Sequence, residues 1–361
     1  MKVVFRCDAS LDIGTGHVMR CLTFALELKQ QGADCEFVCR AHPGNLAALI
    51  ESRGFPLHVL PVGKAAHGRL AHSHWLGASQ RQDAEDMHSI LQCAIADWIV
   101  VDHYALDEEW ETAVRPYCRH IMAIDDLADR KHDCDLLLDQ NAGRSVEDYR
   151  PLTGSGCHVF CGPEYSLLRS EFRLWRERSL SRRTHTALSD VLVSLGGVDR
   201  DDITSSVIRA LSLLPFASQL NVTVVMGHSA PHLSSVNRRA GSFPGQCHVL
   251  SGVDNMAELL SSCDLVIGAA GSSAWERCSL GVPTIMCVLA DNQKIIAESL
   301  GRAGAALVVS QEALDEQLPQ MLRDMFNQPS ILADMSHRAA AVTDGEGVVR
   351  IAAALGEWGY V

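Results

Sequence analysis

Basic residues are scarce in this chain: 31 lysines and arginines stand against 44 aspartates and glutamates, a formal net charge of -13. There is no basic run and no alternation of basic with aromatic residues, so neither a nucleic-acid surface nor a polybasic membrane anchor is expected. Long apolar runs are missing too. None approaches the roughly 18 residues that a bilayer span requires, and Arg6 and Asp8 interrupt the first segment before a signal-like apolar core can form. The chain therefore reads as cytoplasmic. A complete GxGxxG is absent, because Met19 stands where Gly14-Thr15-Gly16 calls for its third glycine, which disfavours a dinucleotide cofactor. Zinc-type spacing is absent as well. Cys35 and Cys39 near His42, and Cys157 with Cys161, have no matching second half, so no metal and no cofactor is expected. The 13 cysteines are scattered, several in apolar contexts (Cys93, Cys263, Cys287), and read as buried, reduced thiols. His67, His72 and His74 fall in a polar stretch and read as surface residues.

What is present is a repeated strand–helix alternation. At 361 residues the chain is too long for one ordinary core. Short apolar runs at 2–6, 35–40, 57–60, 98–101, 121–124 and 136–138 alternate with amphipathic stretches at 17–31, 45–53 and 79–94. Between about Leu167 and Leu188 the texture turns arginine-rich, which reads as a helix followed by a linker. The pattern then restarts with strands at 190–194, 221–226, 248–250, 264–267 and 284–289, helices filling the remainder. The expectation is an α/β protein of two Rossmann-like domains, 1–180 and 187–361, with an interdomain cleft.

Four places carry candidate chemistry. Gly14-Thr15-Gly16-His17 joins the first strand to its helix. The glycines let backbone approach a ligand, and the helix N-terminus disfavours imidazolium, which suits a general base; His17 as a mere helix cap is the alternative. Gly196-Gly197 follows the strand at 190–194 and is either a phosphate cradle or only a tight turn. Gly271-Ser272-Ser273-Ala274-Trp275-Glu276 opens a helix. Its hydroxyls and first amides suit a diphosphate and Glu276 suits ribose hydroxyls, unless serine and Glu276 form a capping box. Finally, Asp102-His103-Tyr104, Asp125-Asp126 and Asn292-Gln293 follow strands, where cleft residues or simple loop caps sit.

RCDASLDIGTGHVMRCLTFA, VDHYALDEEW, IDDLADRKHDCDLLLDQN, GPEYSLLRSEF, SLGGVDRDDIT and GSSAWERCSLGVPTIMCVLADNQ occur in that order. As a set, from about residue 2 to 305, they resemble the UDP-2,4-diacetamido-2,4,6-trideoxy-β-L-altropyranose hydrolases of pseudaminic acid biosynthesis. That family is similar in turn to the UDP-GlcNAc transferase of peptidoglycan synthesis and has the GT-B fold. The resemblance implies His17 as the water-activating base, with Tyr104 and Asn292 near the sugar and Gln293 beside them. It implies Gly14, Gly16, Gly196, Gly197, Ser272, Ser273 and Glu276 around the substrate, and Val253 and Met256 at the uracil. The implied reaction is inverting attack of water at the anomeric carbon of a UDP-sugar. A true glycosyltransferase and a catalytically silent sugar-nucleotide-binding protein are the rival expectations. The segment 63–79 and the tail after about 310 match no motif, and the oligomeric state is left open.

Overall fold

A computed structural model describes residues 1–63, 68–91, 95–185, 187–228 and 230–358, with the backbone alone described for His185 and Asn292. His67 and Cys93 lie outside these residues. The chain forms two compact units, Met1–Leu168 with Glu346–Val361, and Arg169–Gly345. Among the described residues no helix is long and apolar enough to cross a membrane.

The first unit is built on seven parallel strands: β1 (Lys2–Cys7), β2 (Asp34–Arg40), β3 (Leu57–Leu60), β4 (Ala96–Asp102), β5 (Cys118–Ile124), β6 (Leu136–Asp139) and β7 (His158–Cys161). Their order is β3-β2-β1-β4-β5-β6-β7. The central strands are continuously apolar because helices cover both faces; Val3, Val4, Phe5, Trp98, Ile99, Val100 and Leu136 to Leu138 are wholly buried. The second unit repeats the plan with β8 (Asp190–Ser194), β9 (Asn221–Met226), β10 (Gln246–Ser251), β11 (Leu265–Ala269), β12 (Thr284–Val288) and β13 (Leu307–Ser310), ordered β10-β9-β8-β11-β12-β13. In each sheet the chain winds one way from the first strand and then the other. The switch falls between β1 and β4, and between β8 and β11. Ligand crevices of doubly wound sheets open at the carboxyl ends of the strands flanking such a switch.

Two expectations are corrected. The region after Leu289 is not all helix, since Leu307–Ser310 pairs with β12 as an edge strand. β7 is likewise an edge strand. Both are four residues long and partly exposed, too short for their apolar residues to separate strand from helix by pattern. The division at 180/187 also shifts. The arginine-rich stretch read as helix and linker belongs to the second unit, because its side chains satisfy the carbonyls at three helix C-termini. Arg176 donates to the carbonyls of Ser279, Thr343 and Ala340. Arg183 donates to those of Leu260 at 2.8 Å and Cys263 at 2.9 Å, and Ser179 to that of Leu280 at 2.7 Å. Conversely, the last helix, Gly347–Trp358, belongs to the first unit: Val348, Ile351, Ala352 and Leu355 enter the core of Val3, Phe5, Phe24 and Trp98.

Beneath the first switch point lies a buried ionic knot. Asp83, on helix Gln80–Leu91, accepts from Arg6 Nε and Nη2 (3.0 and 2.8 Å), Arg40 Nε (2.9 Å) and Trp110 Nε1 (2.9 Å). All four acceptor directions of the carboxylate are filled, which ties β1 and β2 to two helices. Burial alone would raise its pKa, but Arg6 and Arg40 outweigh burial and hold it at about 2. A folded-state value below the unfolded one makes the contribution present above about pH 4 and lost as pH falls toward 2. It amounts to roughly 2 kcal/mol at neutral pH. Asp83→Asn should therefore lower stability by about 3–5 kcal/mol at pH 7 and flatten the acid limb of the stability profile between pH 4 and 2. Urea midpoints across that range check both effects.

Candidate functional site

In the first unit the site grows from the ends of β1 and β4. The parallel register sets Cys7 opposite Asp102, so the loop after β1 and the loop after β4 leave the sheet side by side. The first of these is held by Ser10 Oγ, which accepts from the amides of Asp12 and Ile13. It turns at Gly14, whose φ of +83° requires glycine. Gly16 has no such need, and a Cβ there would meet nothing within 4 Å. Its smallness is therefore not explained by the chain's own packing.

His17 is the second residue of helix Gly16–Gln30 and is 6% exposed. It does not cap that helix. Its Nδ1 lies 2.6 Å from Oδ1 of Asp102, and Arg20 donates to both oxygens of the same carboxylate at 2.6 Å. Spaced three residues apart, His17 and Arg20 share one helix face. Asp102 is wholly buried, which on its own would raise its pKa, yet Arg20 and His17 draw it well below the usual carboxylate range. An ionised Asp102 accepts a hydrogen bond from Nδ1–H, so that whenever the ring is neutral Nε2 is its acceptor nitrogen.

Tyr104 packs edge-on against His17, ring centroids 4.6 Å apart. Burial and the negative charge of Asp126 push its phenol up, so it stays protonated. Asp126 Oδ2 accepts from Arg20 at 3.1 Å and from Asn141 Nδ2 at 3.2 Å, while its buried Oδ1 has no hydrogen-bond partner among the described residues. Asp125 goes elsewhere: it accepts from the Ala128 amide and from Arg130, closing its own loop. Sequence reasoning singled out His17 and Tyr104 but missed Asp102 as orienter and Arg20 and Asp126 as its neighbours. The available signal was an aspartate closing the strand that adjoins the GTGH strand.

In the second unit the flanking turns are Gly196-Gly197 after β8 and Gly271–Ser273 after β11, with Ser194 opposite Gly268 in register. Gly196 has φ +97°, and a Cβ at Gly197 or Gly271 would meet nothing within 4 Å. Helix Ile203–Ser212 beyond the first turn has its opening amides taken: Asp199 accepts from Ile203 and Thr204 at 3.1 and 2.9 Å. The capping-box alternative for the second turn is not realised. Ser272 caps helix Ser273–Ser279 without a side-chain hydrogen bond and is exposed. Ser273 Oγ accepts from Arg277 Nη1 at 2.9 Å, which leaves the serine proton free to be donated. Arg277 is 3% exposed, donates also to the Ala269 carbonyl at 2.8 Å, and has an unpartnered Nε. The Glu276 carboxylate is partly exposed, with Arg169 at 3.8 Å; burial raises its pKa against the pull of Arg169 and Arg277.

The remaining expected residues are more dispersed. Val253 follows β10 and Met256 opens helix Met256–Ser262, at the far edge of this sheet. Gln293 Oε1 accepts from the Leu289 amide at 3.0 Å, so it supports its own turn. Asn292 sits in the same turn, Asp291–Gln293, and its side chain lies outside the described residues.

Residues 191–351 match the family model described as glycosyltransferase family 28 C-terminal domain. Among curated proteins the chain is 30% identical over 200 residues to the spore coat polysaccharide biosynthesis protein SpsG of Bacillus subtilis, covering 55% of this chain and 58% of that one. It is 26% identical over 314 residues to the UDP-2,4-diacetamido-2,4,6-trideoxy-beta-L-altropyranose hydrolase of Campylobacter jejuni, covering 84% and 97%. An uncharacterized protein of Methanocaldococcus jannaschii is 23% identical over 290 residues, 79% of this chain and 55% of that one. The chain thus spans little more than half of two of these relatives and nearly all of the third. Among solved structures, MurG of Acinetobacter baumannii superposes with a TM-score of 0.71 at 16% identity over 99% of both chains. The UDP-GlcNAc 2-epimerase of Neisseria meningitidis bound to UDP-GlcNAc gives 0.63 at 11% identity, covering 99% and 100%. With the two parallel sheets, these likenesses establish a two-domain Rossmann-like fold of the GT-B type.

The Asp102 geometry makes a spectroscopic prediction. In two-bond ¹H–¹⁵N spectra the neutral His17 ring should carry its proton on Nδ1. In Asp102→Asn that preference should be lost, with a mixture of tautomers or the Nε2–H form.

Proposed function

We propose that the chain hydrolyses a UDP-sugar, a UDP-2,4-diacetamido-2,4,6-trideoxyhexose of the altropyranose type, to UDP and free sugar. His17 is the base and water the acceptor. The observation that carries the reading is the His17–Asp102 pair at the first unit's switch point. It ties Nδ1 to a carboxylate and leaves Nε2 as the ring's other nitrogen, beside a glycine whose missing Cβ would meet nothing within 4 Å. The Campylobacter jejuni hydrolase, alike over most of both chains, supports the substrate.

In this reading His17 Nε2 takes a proton from water as the oxygen attacks the anomeric carbon, and the imidazolium that forms is stabilised by the Asp102 carboxylate. Arg20 keeps that carboxylate ionised and fixed. Tyr104 and Asn292 border the sugar. The second unit takes the nucleotide: the turns at Gly196-Gly197 and Ser272-Ser273 face the diphosphate, Ser273 with a free proton to donate, and Glu276 accepts from the ribose hydroxyls. Val253 and Met256 contact uracil. UDP leaves with inversion at carbon. The anionic leaving group needs no proton, so one base suffices.

A glycosyltransferase is the second reading, favoured by the family 28 match over residues 191–351. Release of UDP from the UDP-sugar at full rate without any acceptor separates hydrolysis from transfer. His17→Leu should reduce turnover by about 10²–10⁴-fold while UDP affinity by calorimetry is unchanged. Reaction in ¹⁸O-water should label the sugar. Undiminished turnover in His17→Leu, or label in UDP, defeats the assignment.

A further inference from the structure

Within the stretch 63–79, which matches no motif, Gly63 and residues 68–79 are described and have a definite place in the first unit. The Gly63 amide donates to the Gly77 carbonyl at 2.7 Å and closes a loop. Residues Ser73–Trp75 make one 3₁₀ turn, and Leu76 beyond them is 1% exposed and packed in the core with Val38, Ile99 and Trp110. With Leu76 anchored, Trp75 lies against Tyr104, ring centroids 5.8 Å apart and planes 30° apart. His72 fills the corner, 4.3 Å from Trp75 and 5.4 Å from Tyr104. Tyr104 in turn touches His17. Four rings therefore run in contact from the loop to the proposed base. His72, Trp75 and Tyr104 are each only partly buried. Burial lowers the pKa of His72 more than Asp129 raises it, so His72 is uncharged near neutral pH, and the cation beside the wall is Arg130, 5.9 Å from the Tyr104 ring centroid.

We propose that Trp75, backed by His72 and Tyr104, is a sugar-binding wall that stacks on the C–H-rich face of a deoxyhexose and selects against a hydroxyl at its exocyclic carbon. The proposal rests on the UDP-sugar reading for its placement next to the reaction. The physics is that of aromatic surfaces generally. Ring faces gain by covering apolar C–H groups, whereas a hydroxyl pressed against them loses water without gaining a partner. Most of the neighbouring polar atoms are committed. Asp102 is bonded to His17 and Arg20, and Asp126 accepts through Oδ2 from Arg20 and Asn141, while its buried Oδ1 has no hydrogen-bond partner among the described residues. A sugar lying on the wall thus meets an apolar surface on one side and His17 at its edge.

The test compares wild type, Trp75→Ala and Trp75→Phe with four probes: UDP, the free 2,4-diacetamido-2,4,6-trideoxyhexose, its 6-hydroxy counterpart, and the UDP-trideoxyhexose. The UDP-sugar is titrated in a His17→Leu background so that turnover does not intervene. Trp75→Ala should weaken the trideoxy ligands on the order of tenfold, leave UDP affinity unchanged, and bring the deoxy-over-hydroxy preference toward unity. Trp75→Phe should restore most of the loss. An unchanged preference in Trp75→Ala overturns the proposal. So does an equal loss for UDP, which would put the ring on uracil. If wild type binds neither UDP nor the UDP-sugar, the UDP-sugar reading fails instead. The wall is then judged on the free sugars alone, where saturation transfer to the C–H face that disappears in Trp75→Ala upholds it and transfer indifferent to Trp75 overturns it.

Discussion

The first unit's chemistry hangs on one buried carboxylate. Asp102 ends the central strand β4 with no solvent contact, and an ionised carboxylate so placed is tolerable only if charge-assisted partners fill its oxygens. Arg20 and His17 do so, both from the helix that follows the adjoining strand β1. The histidine's orientation is thus a consequence of satisfying Asp102. Arg20 carries the constraint outward to Asp126, and Asp126 to Asn141, while the Tyr104 ring packs on His17 itself. One fixed negative charge orders the loops after β1, β4, β5 and β6. The Arg6–Asp83–Arg40 knot fixes the same strand ends from beneath.

The second unit solves a different problem. Its candidate turns also flank a topological switch, but part of their backbone capacity is spent internally. Asp199 takes the amides that open helix Ile203–Ser212, so that helix offers less to an anion than its glycine turn suggests. At the other turn a buried guanidinium supports the serine. Arg277 forms no ion pair among the described residues and spends two hydrogen bonds on Ala269 and Ser273. The effect is to turn the Ser273 hydroxyl into a donor. On a chain of net charge -13, such local positive polarity has to overcome a repulsive overall field for a dianionic ligand.

Much of this was legible in the residue order. Continuous apolar runs marked the central strands because parallel sheets bury both faces. His17 stood out because glycines bracketed it on a strand–helix turn. The edge strands His158–Cys161 and Leu307–Ser310 were missed because each is only four residues long, and an apolar run as short as 305–309 does not separate strand from helix. The arginines of 169–183 read as a polar linker because polarity does not tell a solvated surface from guanidiniums buried on helix-end carbonyls. Asp102 was noticed as a strand-end residue, but its partnership with His17 depends on β1 and β4 being neighbours, and the 95 positions between Cys7 and its register partner Asp102 conceal that adjacency. Trp75 was hidden inside a stretch whose histidines suggested surface.

The charge states around His17 also bear on which leaving group the site can serve. Hydrolysis of an ordinary glycoside needs a carboxylic acid held protonated near neutral pH. Burial works to raise both Asp102 and Asp126, but Arg20 dominates and holds the two below their ordinary range, with His17 and the Tyr104 phenol assisting. Neither is a proton donor at pH 7. Asp139 is pushed up to about 6 by burial, yet it is 0% exposed, and its oxygens are occupied by Tyr149 and the Asn141 amide. If His17 is the base, as proposed, none of Asp102, Asp126 and Asp139 stands by as an accessible acid. That asymmetry would not serve an alkoxide leaving group but would suffice for a diphosphate, which departs as a stable anion.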